Sequence, residues 1–456
     1  MKEIKIAYIG GGSKLWARSF MQDLALAEGI GGQVALYDID TAAAERNRII
    51  AEKIHAKPEA VSHFTYTVSP TLQSALTGAD FVLISILLGT FREMRSDVHA
   101  PEKYGIYQPV GDTVGPGGVL RAMRTLPIYE EFAKAIQEYC PDAWVLNLTN
   151  PMSACVKVLY DTFPGIKAFG CCHEVFHTQD LLCCALRELK GIHVTRSEIY
   201  TDACGINHFT WITQARYQDM DLLALLTEFM ERHPDGFYEN GPVDAWKTNP
   251  FAYGNLVKNE LFRRYGALAA AGDRHLVEFL NNDWFLSGPE SADEWHFALT
   301  TVDFREENQR RQIADSVAMA QGTLDVPLAP SGEALVELLQ AILGLKTVVS
   351  NVNLPNQGQM PGLPIGSIVE TNCVFTNGMV NPITANPLPA GALALVQRNC
   401  ANINLTCEGI RERNMDKLLA AFMNQPLCSR LSWDQGNALF REMCDNTWDY
   451  LSPYYT

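Results

Sequence analysis

The 456-residue sequence predicts an α/β chain: a parallel sheet with helices on both faces, followed by a second, α+β domain. Three observations predict it. The first apolar stretch, residues 4–9, runs directly into Gly10-Gly11-Gly12. Strand and helix patterns then alternate through the first third of the chain, and after about Gly191 they give way to longer β-rich and helical segments. The change divides the chain into residues 1–192 and 193–456, and the length itself favours two cores over one.

Taken in order, residues 4–9 form a short buried-strand run, residues 16–27 a helix, and residues 34–37 a strand that ends at Asp38. These make one βαβ unit. Residues 41–55 read as the next helix, 81–88 as a strand, 128–138 as a helix, and 144–148 as a strand ending at Thr149 and Asn150. Beyond the boundary, residues 199–217 are strand-like and residues 222–232 helical. The stretch 350–366, rich in Asn, Pro, Gln and Gly, reads as an ordered loop of the kind on which binding sites are built.

Composition narrows the function. Lys plus Arg number 36 against 52 Asp plus Glu, a net charge of −16, which repels phosphate backbones and anionic lipid; no nucleic acid and no membrane surface is expected as a partner. The longest apolar run, residues 81–89, is far short of the roughly 20 residues a membrane helix needs. The start MKEIKIAYIGGG has no secretion signal, so the protein is expected in the cytoplasm, with its twelve cysteines reduced.

Gly10, Gly11 and Gly12, with Ser13 beside them, stand between the first strand and the first helix. There, backbone amides and a helix amino terminus can hold a pyrophosphate. Asp38 closes the second strand, where a carboxylate accepts hydrogen bonds from an adenosine ribose and disfavours a 2′-phosphate. The reading is a Rossmann-type site for NAD rather than NADP, although Leu15 occupies the third glycine position of the usual fingerprint. The alternative is a tight glycine turn with a solvent-facing Asp38.

Cys172 and His173 follow a predicted strand end, and His208 lies in GINHF within the next β-rich segment. A thiolate and an imidazole brought together can hold a divalent metal, but ligands so far apart form no standard motif. The run from Gly111 to Gly118 cannot be a helix interior and carries Asp112; it is a substrate-side loop or a long turn. Asp273, Arg274 and His275 gather an acid, a guanidinium and an imidazole. They could supply a proton acceptor and a carboxylate-binding fork, or an exposed ion-pair cluster.

Together these segments resemble glycoside hydrolase family 4, the NAD- and manganese-dependent glycosidases whose fold is related to lactate and malate dehydrogenases. The resemblance spans nearly the whole chain. It runs through IAYIGGGS, KYGIYQPVGDTVGPGG, LTNPM, CHEV, GINHF, AAGDRH, NVNLPNQG and IVETN. It implies Cys172 and His208 as ligands of Mn²⁺, Asn150 and His173 as sugar contacts, Asp273 as the base (with Tyr265 as its substitute), Glu174 or Asp112 assisting leaving-group protonation, and Arg274 pairing with a substrate carboxylate.

The implied reaction is redox-assisted elimination rather than two-carboxylate hydrolysis. Hydride leaves C3 for NAD⁺, a base removes the acidified C2 proton, the aglycone departs, water adds, and the hydride returns. The tetrapeptide CHEV resembles the α-galacturonidase branch, which implies a small-molecule uronide as substrate, and the related folds imply a homo-oligomer, dimer or tetramer. The alternatives are another family 4 specificity (α-glucuronidase, α-glucosidase, α-galactosidase), an NAD-dependent dehydrogenase of a hydroxy acid or sugar acid, and a non-enzymatic NAD sensor.

Overall fold

The computed structural model describes residues 1–455. Six parallel strands form one half of its sheet: β1 (Lys2–Ile9), β2 (Ile30–Tyr37), β3 (His63–Val68), β4 (Phe81–Ile84), β5 (Trp144–Asn147) and β6 (Lys167–Gly170). The second half is antiparallel: β7 (Tyr200–Ile206), β8 (Phe209–Tyr217), β9 (Met220–Asp221), β10 (Leu268–Ala269), β11 (Val348–Pro355), β12 (Ile368–Thr376) and β13 (Met379–Pro382). The order is β10-β8-β7-β12-β11-β6-β5-β4-β1-β2-β3, and β11 joins β6 through the pair Asn353 and Gly170.

β1 shows why the parallel half reads as continuous apolar sequence. Ile4, Ile6 and Tyr8 face a core shared with Phe20 and Leu24, while Ala7 and Ile9 face another shared with Leu120 and Met123. Both faces of the strand are thus covered by helices. The first helix, Trp16–Ala25, buries Ala17, Phe20, Met21 and Leu24, the spacing of a single helical stripe. Each fully buried large side chain of this kind contributes roughly 1.5–3 kcal/mol. The next helix, Thr41–His55, has the expected bounds and is capped by Asp40, whose carboxylate accepts the Ala43 amide at 3.0 Å.

Four expectations need correction. The strand expected over 81–88 ends at Ile84, because the chain leaves the sheet at Ser85 to pack against the glycine loop. The helix expected over 128–138 is Gly115–Tyr139 and contains Pro127. Its glycine-rich first turn is helical because tertiary acceptors take its free amides: Gly115 donates to Gln425 Oε1 at 3.0 Å and Gly117 to Gln108 Oε1 at 2.9 Å. The 350–366 segment is not all loop, since β11 runs to Pro355 with Asn351 and Asn353 buried. The strand-like 199–217 segment is a hairpin, β7 and β8, turning at Asn207 and His208. Among the described residues all twelve cysteines are unpaired, and no helix is long and apolar enough to cross a membrane.

Candidate active site

The carboxyl ends of β1, β4, β5 and β6 meet the β7–β8 turn at the middle of the sheet. On the β1 side, the amides of Gly10 and Gly11 both donate to the Tyr37 carbonyl, at 2.8 and 3.0 Å. Gly10 has φ +90°, and a Cβ there would lie 2.0 Å from the Ser85 carbonyl oxygen, so only glycine fits. Ser13 closes the turn by donating its amide to Gly10 O at 2.9 Å. Buried Asn47 staples the loop from below, donating to Gly11 O at 2.8 Å and Ser13 O at 2.9 Å.

Among the described residues no side chain caps the following helix at Leu15, and its first turn holds no acid, so its amides remain available to an anion. Asp38 is fixed by two amides, Gly12 to Oδ2 and Asp40 to Oδ1, both at 2.8 Å. The arrangement fits a dinucleotide: a bare backbone cradle, an open helix end and an oriented half-buried carboxylate.

Cys172 lies on the loop after β6. Burial pushes its thiol well above the ordinary value, and the charges of Glu370 and Glu174 push in the same direction, an environment that a cation would reverse. His208 sits in the hairpin turn with φ +61°. Its Nδ1 is 3.1 Å from Thr113 Oγ1, and that hydroxyl is 2.7 Å from Asp112 Oδ1. Asp112 is held well below the usual carboxylate range. Burial acts to raise it, but Arg121, His208 and His275 outweigh burial. An ionised carboxylate only accepts, so the Thr113 hydroxyl donates to Asp112 and must accept from His208 Nδ1–H. That leaves Nε2 as the bare nitrogen, and burial keeps the imidazole neutral, its value lowered despite Glu174 and Asp112.

No group of three His, Cys, Asp or Glu side chains that could hold a metal occurs among the described residues. Cys172 and His208 alone would leave most positions of a metal open to substrate oxygens and water, the coordination expected of a catalytic rather than a structural site. Asn150 stands on the turn after β5, facing Asp112. Its Nδ2 is 3.4 Å from Asp112 Oδ2, and its Oδ1 is buried without a partner. Asn207, next to His208, is likewise buried with neither amide atom partnered.

Glu174 opens the helix Glu174–Lys190. Its Oε2 accepts the Gly272 amide at 2.7 Å; its Oε1 is 3.6 Å from His275 Nε2 and 3.9 Å from His173 Nε2. Burial would raise it, but His275, His173 and His208 hold it far below the ordinary value. His173 also faces Glu333 at 3.4 Å and the Trp16 ring at 5.5 Å between centroids.

Asp273, Arg274 and His275 are all buried, which removes the exposed ion-pair reading. Asp273 accepts the Lys258 amide on Oδ1 at 3.0 Å and the Val257 amide on Oδ2 at 3.3 Å, from the first turn of helix Leu256–Tyr265. Burial pushes it up to about 6, against the charge of Lys258 and those two amides. The Arg274 guanidinium stacks over Phe251 at 5.1 Å, donates to Thr300 Oγ1 and leaves Nε unpartnered. It is 8% exposed and makes no ion pair among the described residues. Tyr265 lies elsewhere, its ring against Trp211 and Gly391 in an apolar cluster.

Several contributors escaped the sequence reading. Thr113 adjoins Asp112 and could have been found by adjacency; His275, read in sequence with Asp273 and Arg274, lies 4.0 Å from His208 between ring centroids. Glu370 on β12 accepts Thr210 Oγ1 at 2.9 Å and Asn351 Nδ2 at 2.6 Å, supporting the Cys172 side. Glu278 and Arg305 had no local signal.

A model of family 4 glycosyl hydrolases matches residues 5–188, and the model of that family's C-terminal domain matches residues 203–428. The chain belongs to glycosyl hydrolase family 4. It is 48% identical over 453 residues to an α-galacturonidase of Thermoanaerobacterium saccharolyticum, covering 99% of this chain and 97% of that one. It is 44% identical over 444 residues to an α-galacturonidase of Bacillus subtilis, 97% of each. A Bacillus subtilis crystal structure described as a glucosidase superposes with a TM-score of 0.92 at 44% identity, covering 97% of this chain and all of that one. A 6-phospho-α-glucosidase from gut microorganisms, solved with NAD and Mn²⁺, shares the fold with a TM-score of 0.80 at 20% identity, over 98% of this chain and 99% of that one.

Proposed function

We propose that this family 4 enzyme is an α-galacturonidase that uses NAD and a divalent metal, Mn²⁺ by preference. Arg274 carries the reading: a buried guanidinium whose Nε is unpartnered and which makes no ion pair among the described residues matches a uronate bidentately, whereas a neutral sugar leaves it unpaired. The relatives that are 44–48% identical over nearly the full chain bear the same name. Gly10, Gly11, Gly12, Ser13 and Asp38 hold the NAD, and Cys172 and His208 hold the metal, with Asn150 orienting a sugar hydroxyl.

When bound, the two cofactors supply reversible hydride uptake at C3 and polarisation of the neighbouring oxygens. The chain does the rest. Asp273 takes the C2 proton, since burial leaves it poised near neutral pH while Asp112 and Glu174 are held far below it. Asp112, turned toward Thr113 and Asn150, fixes the His208 tautomer. Glu174, ionised between His173 and His275, assists leaving-group protonation by orienting those imidazoles rather than as the donor itself.

The test is a panel of aryl α-glycosides, charged and neutral, assayed with NAD⁺, Mn²⁺ and thiol. Galacturonides should be turned over with no net NADH. Arg274→Ala should lose that preference by roughly 1–3 kcal/mol, the worth of a charge-assisted pair. Stoichiometric NADH, or equal turnover of neutral galactosides, refutes the reading.

A further inference from the structure

Thr300 is held at every polar group it has. Its amide donates to the Pro109 carbonyl at 3.2 Å, its carbonyl accepts from Arg305 Nε at 3.1 Å, and its hydroxyl accepts from Arg274 Nη1. Arg305 reaches further: its Nη2 donates to the carbonyls of Val110 at 2.7 Å and Pro109 at 3.4 Å. From the other side, Glu278 Oε1 accepts the amides of Val110 at 2.7 Å and Gly111 at 2.9 Å. The turn ahead of Asp112 therefore has its backbone groups met by two side chains, a guanidinium and a buried carboxyl group, rather than by secondary structure.

Arg305 occupies an unfavourable place. It lies in the first turn of helix Val302–Gln321, where the unpaired amides oppose a cation. Its neighbours Asp303 and Glu306 pair with Arg95 and Arg310 instead of with it. Burial pulls it down to about 10, so it stays charged at neutral pH. A half-buried cation that makes no ion pair among the described residues, with only the longer-range charge of Asp112 to offset burial, is costly, and what it maintains is the position of Thr300 and of the 109–111 turn.

We propose that Arg305 and Thr300 are positioning residues for Arg274, aiming its guanidinium at the substrate carboxylate and so setting the preference for an acidic sugar. This rests on the uronide reading above and adds the residues that enforce it. Without Thr300 Oγ1 the Arg274 side chain is held only by its stacking on Phe251, and a fork that swings loses its two-point match.

The experiment compares Thr300→Val, Arg305→Gln, Arg305→Lys and Arg274→Ala as full-length enzymes, with nitrophenyl α-galacturonide as substrate. NAD⁺ binding by calorimetry serves as the control for folding. Thr300→Val and Arg305→Gln should raise KM about tenfold with kcat changed less than about twofold, and Arg305→Lys should recover part of the loss. NAD⁺ affinity should not move. If Arg305→Gln does not fold, the near-isosteric Thr300→Val decides the question. A fall in kcat without a rise in KM, or no change in either, overturns the positioning role while leaving the uronide reading intact. If Arg274→Ala itself keeps the wild-type KM, the uronide reading fails and this inference fails with it.

Discussion

Asp273 should set the acid limb of activity. It is fully buried and pushed up to about 6 from an ordinary 3.8. A base must be ionised to accept the C2 proton, and one pH unit below its pKa only about a tenth of the molecules carry it ionised. kcat/KM on an aryl α-galacturonide should therefore drop about tenfold from its plateau by pH 5. Stability runs the other way. The folded value exceeds the unfolded one, so the native state binds the proton more tightly, and stability falls as pH rises from 3.8 to about 6. The shift corresponds to about 3 kcal/mol. Asp273→Asn separates fold from chemistry: one amide oxygen can still accept a helix amide, but it cannot take a proton. That variant should keep NAD binding and lose exchange of the C2 hydrogen with solvent deuterium. Normal exchange in Asp273→Asn, or a wild-type profile flat to pH 5, refutes the assignment.

The same geometry supports other tests. Gly10→Ala places a Cβ 2.0 Å from the Ser85 carbonyl at φ +90°, so calorimetry should find NAD affinity reduced at least about a hundredfold; wild-type affinity would show that the loop does not form the cofactor cradle. Thr113→Val removes the acceptor that fixes the His208 tautomer, and Mn²⁺ affinity by metal titration should fall about ten- to a hundredfold; an unchanged value would separate Thr113 from the metal site. Glu278 is pushed by burial from 4.5 up to about 8, so its native state holds the proton and wild-type stability should fall as pH rises through that window. Denaturant unfolding at pH 6 and 9 should show the wild type losing about 3 kcal/mol more than Glu278→Gln; equal losses would mean that Glu278 is ionised throughout.

Local pattern was enough for some elements and not for others. Residues 41–55 and 222–232 were legible as helices with the observed bounds, because an apolar stripe and good termini coincide there. The first turns of Gly115–Tyr139 were not, since glycines and a proline discourage helix until Gln108 and Gln425 arrive from other parts of the chain to take their amides. β11 read as loop for a related reason. Its asparagines are poor strand formers whose strand is paired along its length with β12, where Glu370 meets Asn351.

By itself the sequence determined the α/β order, the glycine cradle ending at Asp38, the acidic surface, and a motif set specific enough to fix the family. Those properties are carried by residues near one another in the chain, where periodicity and turn chemistry act. Tertiary structure decided the charge states and partners: that Asp273 caps a helix 15 residues upstream, that His208 pairs with Thr113 across 95 residues, and that the Arg274 Nε is buried without a partner. The reason is physical. Burial and long-range contacts set proton affinity, and neither exists until the strands of the two halves have come together around the site.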